Sequence, residues 1–197
     1  MPDPFEHCEA LVREGDRDRF LATLFAPEKY RRALHALHAF SLELARVRDL
    51  AREPMPGEIR LQWWRDALLG TAAGDAAGHP VAAALREAVV RYRLPPAALS
   101  DMIDARSFDL YDEPMPTVAA LESYGMRTAA LPMELAARIL RDGRDSGATD
   151  LIAHAGSAEA IARLLRTLPL HAARGQLYLP VDLMQRHGAG ADDVLAR

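Results

Sequence analysis

Residues Ala33–Asp49 read ALHALHAFSLELARVRD, and the spacing of their apolar side chains decides the fold class. Leu34, Leu37, Phe40, Leu44, Val47 and Leu50 recur at steps of three or four, while Arg31, Arg32, Glu43, Arg46 and Asp49 fall on other faces. That period is the signature of an amphipathic helix. About five turns are expected, ending near Pro54 and Pro56, because proline disfavours helical geometry before it and has no backbone N–H to donate.

Outward from this segment the same period repeats. Helices are expected from about Gly57 to Leu69, with Gly70 and Gly74 opening a small-residue loop, and from His79-Pro80 through Tyr92. Pro95-Pro96 starts another that carries Leu99, Met102, Ile103, Phe108 and Leu110 up to the break at residues 113–116. Thr117 is placed to cap a helix over Val118–Leu140, in which Pro132 predicts a kink or a division. Residues 141–149 read as a turn-rich linker, and Asp150–Leu168 is helical again. No two-residue alternation is sustained anywhere, so the expected architecture is all-α. One domain spanning residues 1–197 is expected, with about the first 15 residues poorly ordered and Cys8 a small residue near that frayed end.

The chain has 197 residues, of which 50% are hydrophobic, enough for one sizeable core. Its formal charge is −4, from 24 basic and 28 acidic residues. No basic stripe with interleaved aromatics occurs, so nucleic acid is not an expected partner. Lys29 is the only lysine; the dominance of Arg, with the abundant Ala, reads as coding bias rather than adaptation to phosphate. A single cysteine excludes an intrachain disulfide and fits a reducing compartment. The opening residues lack a secretory pattern, and their acids argue against a transit peptide. No window approaches the roughly 20 apolar residues of a membrane span. A cytoplasmic protein is expected, with peripheral contact at the inner membrane open to it.

Candidate chemistry is sparse. Asp101, Asp104, Asp109 and Asp112 form the densest acidic cluster, whose three-residue spacing reads as a solvated helix face compensated by Arg106 rather than a metal site. His35 and His38 lack acid or thiol partners at ligand spacing and read as packing residues. No nucleophile elbow, phosphate-cradling glycine loop or dinucleotide fingerprint is present. Arg166, Arg174 and Tyr178 could hold an anion through charge-assisted hydrogen bonds, or could neutralise helix ends and nearby acids. Trp63 and Trp64, adjacent on a helix, point in different directions, one inward and one toward a groove or partner.

A series of markers runs along nearly the whole chain: Arg19-Phe20-Leu21-Ala22 with Ala26-Pro27, Ala36-Leu37-His38-Ala39-Phe40, Trp64-Arg65, His79-Pro80-Val81 with Ala84-Leu85, Asp104 to Leu110, Tyr124 with Thr128, Leu165-Arg166, and Arg174-Gly175 with Tyr178-Leu179-Pro180. In order and spacing these resemble the squalene/phytoene synthase family. The resemblance implies an isoprenoid-synthase-type helical bundle around a central cavity. Family enzymes join two prenyl diphosphates using Mg²⁺ held by two helical motifs, each with two Asp four residues apart.

The two motifs fall on Ala45–Asp49 and Thr167–His171. At the four acidic places this chain has Ala45, Asp49, Thr167 and His171, so only Asp49 remains. Arg46 and Arg48 add positive charge there, which opposes Mg²⁺. A relocated pair of Asp49 with Glu53 is weak, because Glu53 precedes Pro54 at a fraying helix end. The tyrosine usual before Ala-Phe is His38, and the Gln and Asn usual ahead of the second motif are Ala160 and Arg163. The runs FSLELARVRD, IRLQWWRDAL and LRTLPLHAARGQLYLPVDLMQRHG are similar to a divergent branch associated with assembly of respiratory complex I.

What the resemblance implies is a non-catalytic assembly or scaffolding factor with a protein client in a respiratory complex and no cofactor. The alternative it implies is an active prenyltransferase of squalene/phytoene type with Mg²⁺, and a third is an isoprenoid- or lipid-binding protein. Candidate cavity residues are His38, Phe40, Asp49, Tyr124, Arg166, Arg174 and Tyr178. Family members usually continue beyond Arg197 with further helices, so a fragment with one cavity wall open is also expected.

Overall fold

The computed structural model describes residues 3–51, 53–70 and 78–195. Helix α3, Glu28–Ala45, is the axis of the molecule. From Ala33 to Ser41 every side chain but that of His38 is buried, more than one amphipathic face requires. Neighbours on several sides explain this: α3 packs against α1 (Pro4–Gly15), α2 (Arg17–Leu24), α6 (Pro80–Tyr92) and α9 (Leu131–Leu140).

The expected frayed N-terminus is instead a helix. Asp3 accepts the Phe5 amide at 3.0 Å, Pro4 suits the first turn, and Phe5, Cys8 and Val12 lie on one face buried against the core. Cys8 is fully enclosed, and burial, ahead of the charges of Asp3 and Glu43, pushes its thiol up to about 12.

Helix α3 stops earlier than the sequence pattern implies. The chain turns at Arg46 into the single turn α4, Val47–Leu50, which packs on α5 (Pro54–Leu69) and carries Val47 into the core. Helix α5 begins at Pro54 rather than Gly57, since prolines in a first turn lose no intrahelical hydrogen bond. It ends at Gly70, whose φ of +75° closes the helix in the left-handed region. Gly74 lies outside the described residues. Trp64 packs in the core and Trp63 borders a groove of about 390 Å³ shared with His79 and Ile59, matching the divided roles expected of adjacent tryptophans.

Helix α7, Pro96–Ala105, does not run to Leu110; it tightens into a 3₁₀ turn over Arg106–Leu110. Thr117 caps α8, Val118–Gly125, accepting the Ala120 amide at 3.1 Å. The expected division before Pro132 takes the form of a π-turn, Met126–Ala130, in which the Leu131 amide reaches back five residues to the Met126 carbonyl. Pro132 has no amide with which to restore the ordinary register, and Thr128 donates its hydroxyl to the Tyr124 carbonyl at 2.8 Å.

Helix α10, Thr149–Arg166, lies across this turn. The approach is close: a Cβ at Gly156 would stand 2.4 Å from Ala130 Cα, and one at Gly125 would stand 3.1 Å from Ala160 Cβ. Short helices α11 (Leu168–Ala173), α12 (Val181–Arg186) and α13 (Ala191–Leu195) follow. Between α11 and α12 the chain is extended, with Met115 N–H bonded to the Leu177 carbonyl and Val181 N–H to that of Met115, both at 2.9 Å. Among the described residues there is no strand, and the fold is all-α. No helix there is long and apolar enough to cross a membrane.

Candidate functional site

A cavity of about 840 Å³ opens between α2, the α3–α4 junction, the 3₁₀ turn, α9 and α10–α11. The break after Ala45 and the break after Arg166 both face it. As a result Ala45, Asp49, Thr167 and His171, far apart in sequence, line one space. Its walls explain why: the glycine and alanine seam under α10 lets that helix approach closely enough to aim Glu159, Arg163 and Thr167 inward.

Asp49 is engaged. Arg174 donates to its Oδ1, joining α4 to the end of α11 in an exposed ion pair. The opposing segment presents Thr167 and His171, where Thr167 donates to the Arg163 carbonyl at 2.8 Å. His171 packs on the Tyr178 ring at 4.7 Å, and burial, ahead of neighbouring charges, lowers its pKa. Among the described residues no three carboxylate, imidazole or thiol groups are arranged to hold a metal ion.

The deepest polar cluster was only half legible in the sequence. Asp109 is buried, not solvated: Oδ1 accepts the hydroxyls of Tyr178 at 2.7 Å and Tyr124 at 2.9 Å, and Oδ2 accepts Arg106 Nη1 at 3.0 Å. Gln176 donates to the Asp109 carbonyl at 3.0 Å. Burial alone would lower the Arg106 pKa, but Tyr124 and Asp109 hold it raised. Burial also raises both phenols, so they stay neutral donors beside the charged Arg106. The sequence set Arg106 beside the acidic cluster as a compensating charge on a solvated face; the 3₁₀ turn that buries it with Asp109 carries no sequence signal of comparable strength. The rest of the acidic cluster disperses, Asp104 to Arg65 at 2.7 Å and Asp112 to Arg48 at 2.8 Å.

A second cluster was missed altogether. Glu159 Oε1 accepts Arg19 Nη2 at 3.3 Å and Arg163 Nη1 at 3.4 Å, bridging α2 and α10. Burial first, then the nearby Arg106, lowers the Arg163 pKa. His38 lines the same cavity with Nδ1 buried and unpartnered among the described residues. Burial, reinforced by Arg19 and His35, pulls its pKa down to about 3, so the ring is neutral. Tyr124, Arg166, Arg174 and Tyr178 also line the space.

Phe40 does not. Two residues beyond His38 carries it about 200° around the helix, and it is fully buried edge-on to Trp64 at 5.1 Å. Arg46 is not among the lining residues either; it lies over Gly15, where a Cβ would be 2.5 Å from its Nη2. Arg48 does face the cavity. His35 stacks on Phe20 at 5.7 Å, a packing role.

Residues 12–197 match the profile of the family described as squalene/phytoene synthase. The chain is 34% identical over its whole length to "NADH dehydrogenase (ubiquinone) complex I, assembly factor 6" of Rattus norvegicus, and covers 59% of that protein. It is 32% identical over 97% of its length to the protein of the same name in Homo sapiens, covering 57% of it. The chain thus spans less than two thirds of these curated relatives. In structure it is similar to the squalene synthase HpnC of Alicyclobacillus acidocaldarius, with a TM-score of 0.80 at 22% identity, over 98% of this chain and 72% of that one.

Proposed function

Because the chain belongs to the squalene/phytoene synthase family, we propose that it keeps the family's cavity without the family's chemistry and serves as an assembly factor for a respiratory NADH dehydrogenase complex. The observation that carries this reading is the state of the four motif positions. Prenyl diphosphate transfer by metal clusters needs carboxylates from two facing helices. Here Asp49 is neutralised by Arg174, and the facing wall offers a hydroxyl and a neutral-leaning imidazole. The names of the relatives supply the kind of client. No bound metal is required, and action at the inner membrane surface follows from a client embedded there.

The test has two arms. Purified protein with farnesyl or geranylgeranyl diphosphate and Mg²⁺ is expected to release no pyrophosphate; turnover abolished by Asp49→Ala would overturn the non-catalytic reading. Removing the gene from its host is expected to reduce the assembled NADH dehydrogenase complex on native gels, with rescue by Asp49→Ala as well as by the unaltered gene. A second reading, isoprenoid or lipid binding, is favoured by the size of the cavity. It predicts a lipid that co-purifies and is detected by mass spectrometry.

A further inference from the structure

The groove of about 390 Å³ beside α5 shares no lining residue with the central cavity. Glu43, half-buried on α3, is the one carboxylate lining it among the described residues, and there it makes no hydrogen bond or ion pair. Three rings wall the same groove, set at steep angles to one another. Trp63 and Trp64 lie 5.0 Å apart at 77°, Trp64 and His79 5.2 Å apart at 76°, and Trp63 and His79 5.0 Å apart at 52°. His79 is fixed by its Nδ1, which accepts the Ala82 amide at 3.4 Å at the start of α6. Burial, ahead of the opposing charge of Glu43, lowers its pKa, so the ring is neutral at pH 7. Among the described residues, the cations that lie over rings use Phe5, Phe20, Tyr30, Tyr92 and Tyr124, leaving both indoles without one.

Aromatic faces and a carboxylate without a counter-charge both attract an organic cation. Arg60, exposed on the same groove, opposes a free cation and favours one carried in on a larger surface. That surface has a place to rest. Leu50 and Ile59 on the groove are 60% and 66% exposed, and Met55, Ile59 and Trp63 follow at four-residue steps along one face of α5. A helix face turned to solvent ordinarily carries polar residues, and an apolar stripe in their place suits a protein contact. From the stripe, the rings and the lone carboxylate we infer that this groove docks a partner protein, seating a lysine or arginine side chain flanked by apolar residues. The cationic tip meets Glu43 and the indoles, while its stem and neighbours lie on Leu50, Met55 and Ile59.

The inference gives the assembly reading a contact surface and rests on it only for the kind of partner. Trp63 and Trp64 are the only tryptophans in the chain, so intrinsic fluorescence reports on this groove. The probes, titrated into the full chain, are capped peptides Ala-Leu-X-Leu-Ala with X as lysine, arginine, norleucine or glutamate, together with tetramethylammonium and phosphatidylcholine vesicles. The lysine or arginine peptide is expected to bind at least about tenfold tighter than the norleucine and glutamate peptides. Glu43→Gln is expected to remove most of that preference and leave the norleucine peptide unchanged, whereas Arg60→Gln strengthens the basic peptides about twofold. Arg60 is exposed, so its variant remains folded and decides the matter if Glu43→Gln does not fold. Norleucine as tight as lysine, no saturable change with any peptide, or indifference to both substitutions would overturn the inference. So would tetramethylammonium as tight as the peptides, or a response to vesicles alone. Each of these leaves the native-gel result standing, whereas an intact NADH dehydrogenase complex in the deletion host removes the assembly reading and not this site.

Discussion

Asp109 accepts three hydrogen bonds from side chains, and its carboxylate is where the interior of the site is most sensitive to change. Asp109→Asn leaves Arg106 buried without a counter-charge and is expected to cost about 3–5 kcal/mol. Tyr178→Phe removes one donor to a charged acceptor and is expected to cost about 1.5–3 kcal/mol. Urea titration of both variants checks the ordering.

His38 gives a pH signature. Its folded pKa lies below the unfolded value of 6.5, so the unfolded chain takes up the proton first and stability is lost as pH falls through 6.5 toward 3. The slope approaches about 1.4 kcal/mol per pH unit. Between about pH 7 and 5 the wild type should therefore lose roughly 2 kcal/mol more than His38→Gln, a comparison that cancels the other histidines. Cys8 is expected to resist thiol reagents until the protein unfolds, because its thiolate is scarce and enclosed.

At the scale of elements, the helices were legible and their joints were not. Periodicity located α3, α5, α6 and α10 because a buried stripe repeats every three or four residues whatever lies against it. The breaks at Arg46 and at the 3₁₀ turn depend on what α4 and Arg106 pack upon, which a single segment does not record. Pro132 did announce a disruption, but the π-turn that answers it depends on the whole run from Tyr124 to Leu131. The same distinction covers the site. The motif positions Ala45, Asp49, Thr167 and His171 were placed by the family resemblance, while Arg19 and Glu159 meet only because α2 and α10 do.

Phe40 was misplaced because proximity to His38 in sequence is opposition on a helix. The seam between α10 and the π-turn yields a test: Gly156→Ala forces a methyl against the Ala130 backbone and is expected to cost about 1–3 kcal/mol. Thermal unfolding measures it, and an unchanged midpoint would mean that α10 does not sit this close.

For the molecule as a whole, the cavity and the core are separable. The core lies around α3, with α1, α6 and Trp64, and the cavity lies where α10 and α11 close over its other side. A competent metal-diphosphate site at about 100 times its dissociation constant would add about 2.7 kcal/mol of stability. Magnesium with an unreactive farnesyl thiodiphosphate is expected to give no increment over the same analogue in EDTA, as read by differential scanning fluorimetry. Apolar side chains such as Phe25, Met55, Ile59, Val90 and Leu151 remain largely exposed, a distribution that apolar periodicity within single helices does not reveal.

The strut between Asp49 and Arg174 ties two walls of the cavity together. Both side chains are about half exposed, and ion pairs so placed hold with roughly 1 kcal/mol or less and weaken as salt rises. Thermal agitation alone suffices to part and rejoin such a pair without disturbing the helices behind it. Brine should loosen that tie, which makes ionic strength the natural dial for how firmly α4 is held to the end of α11.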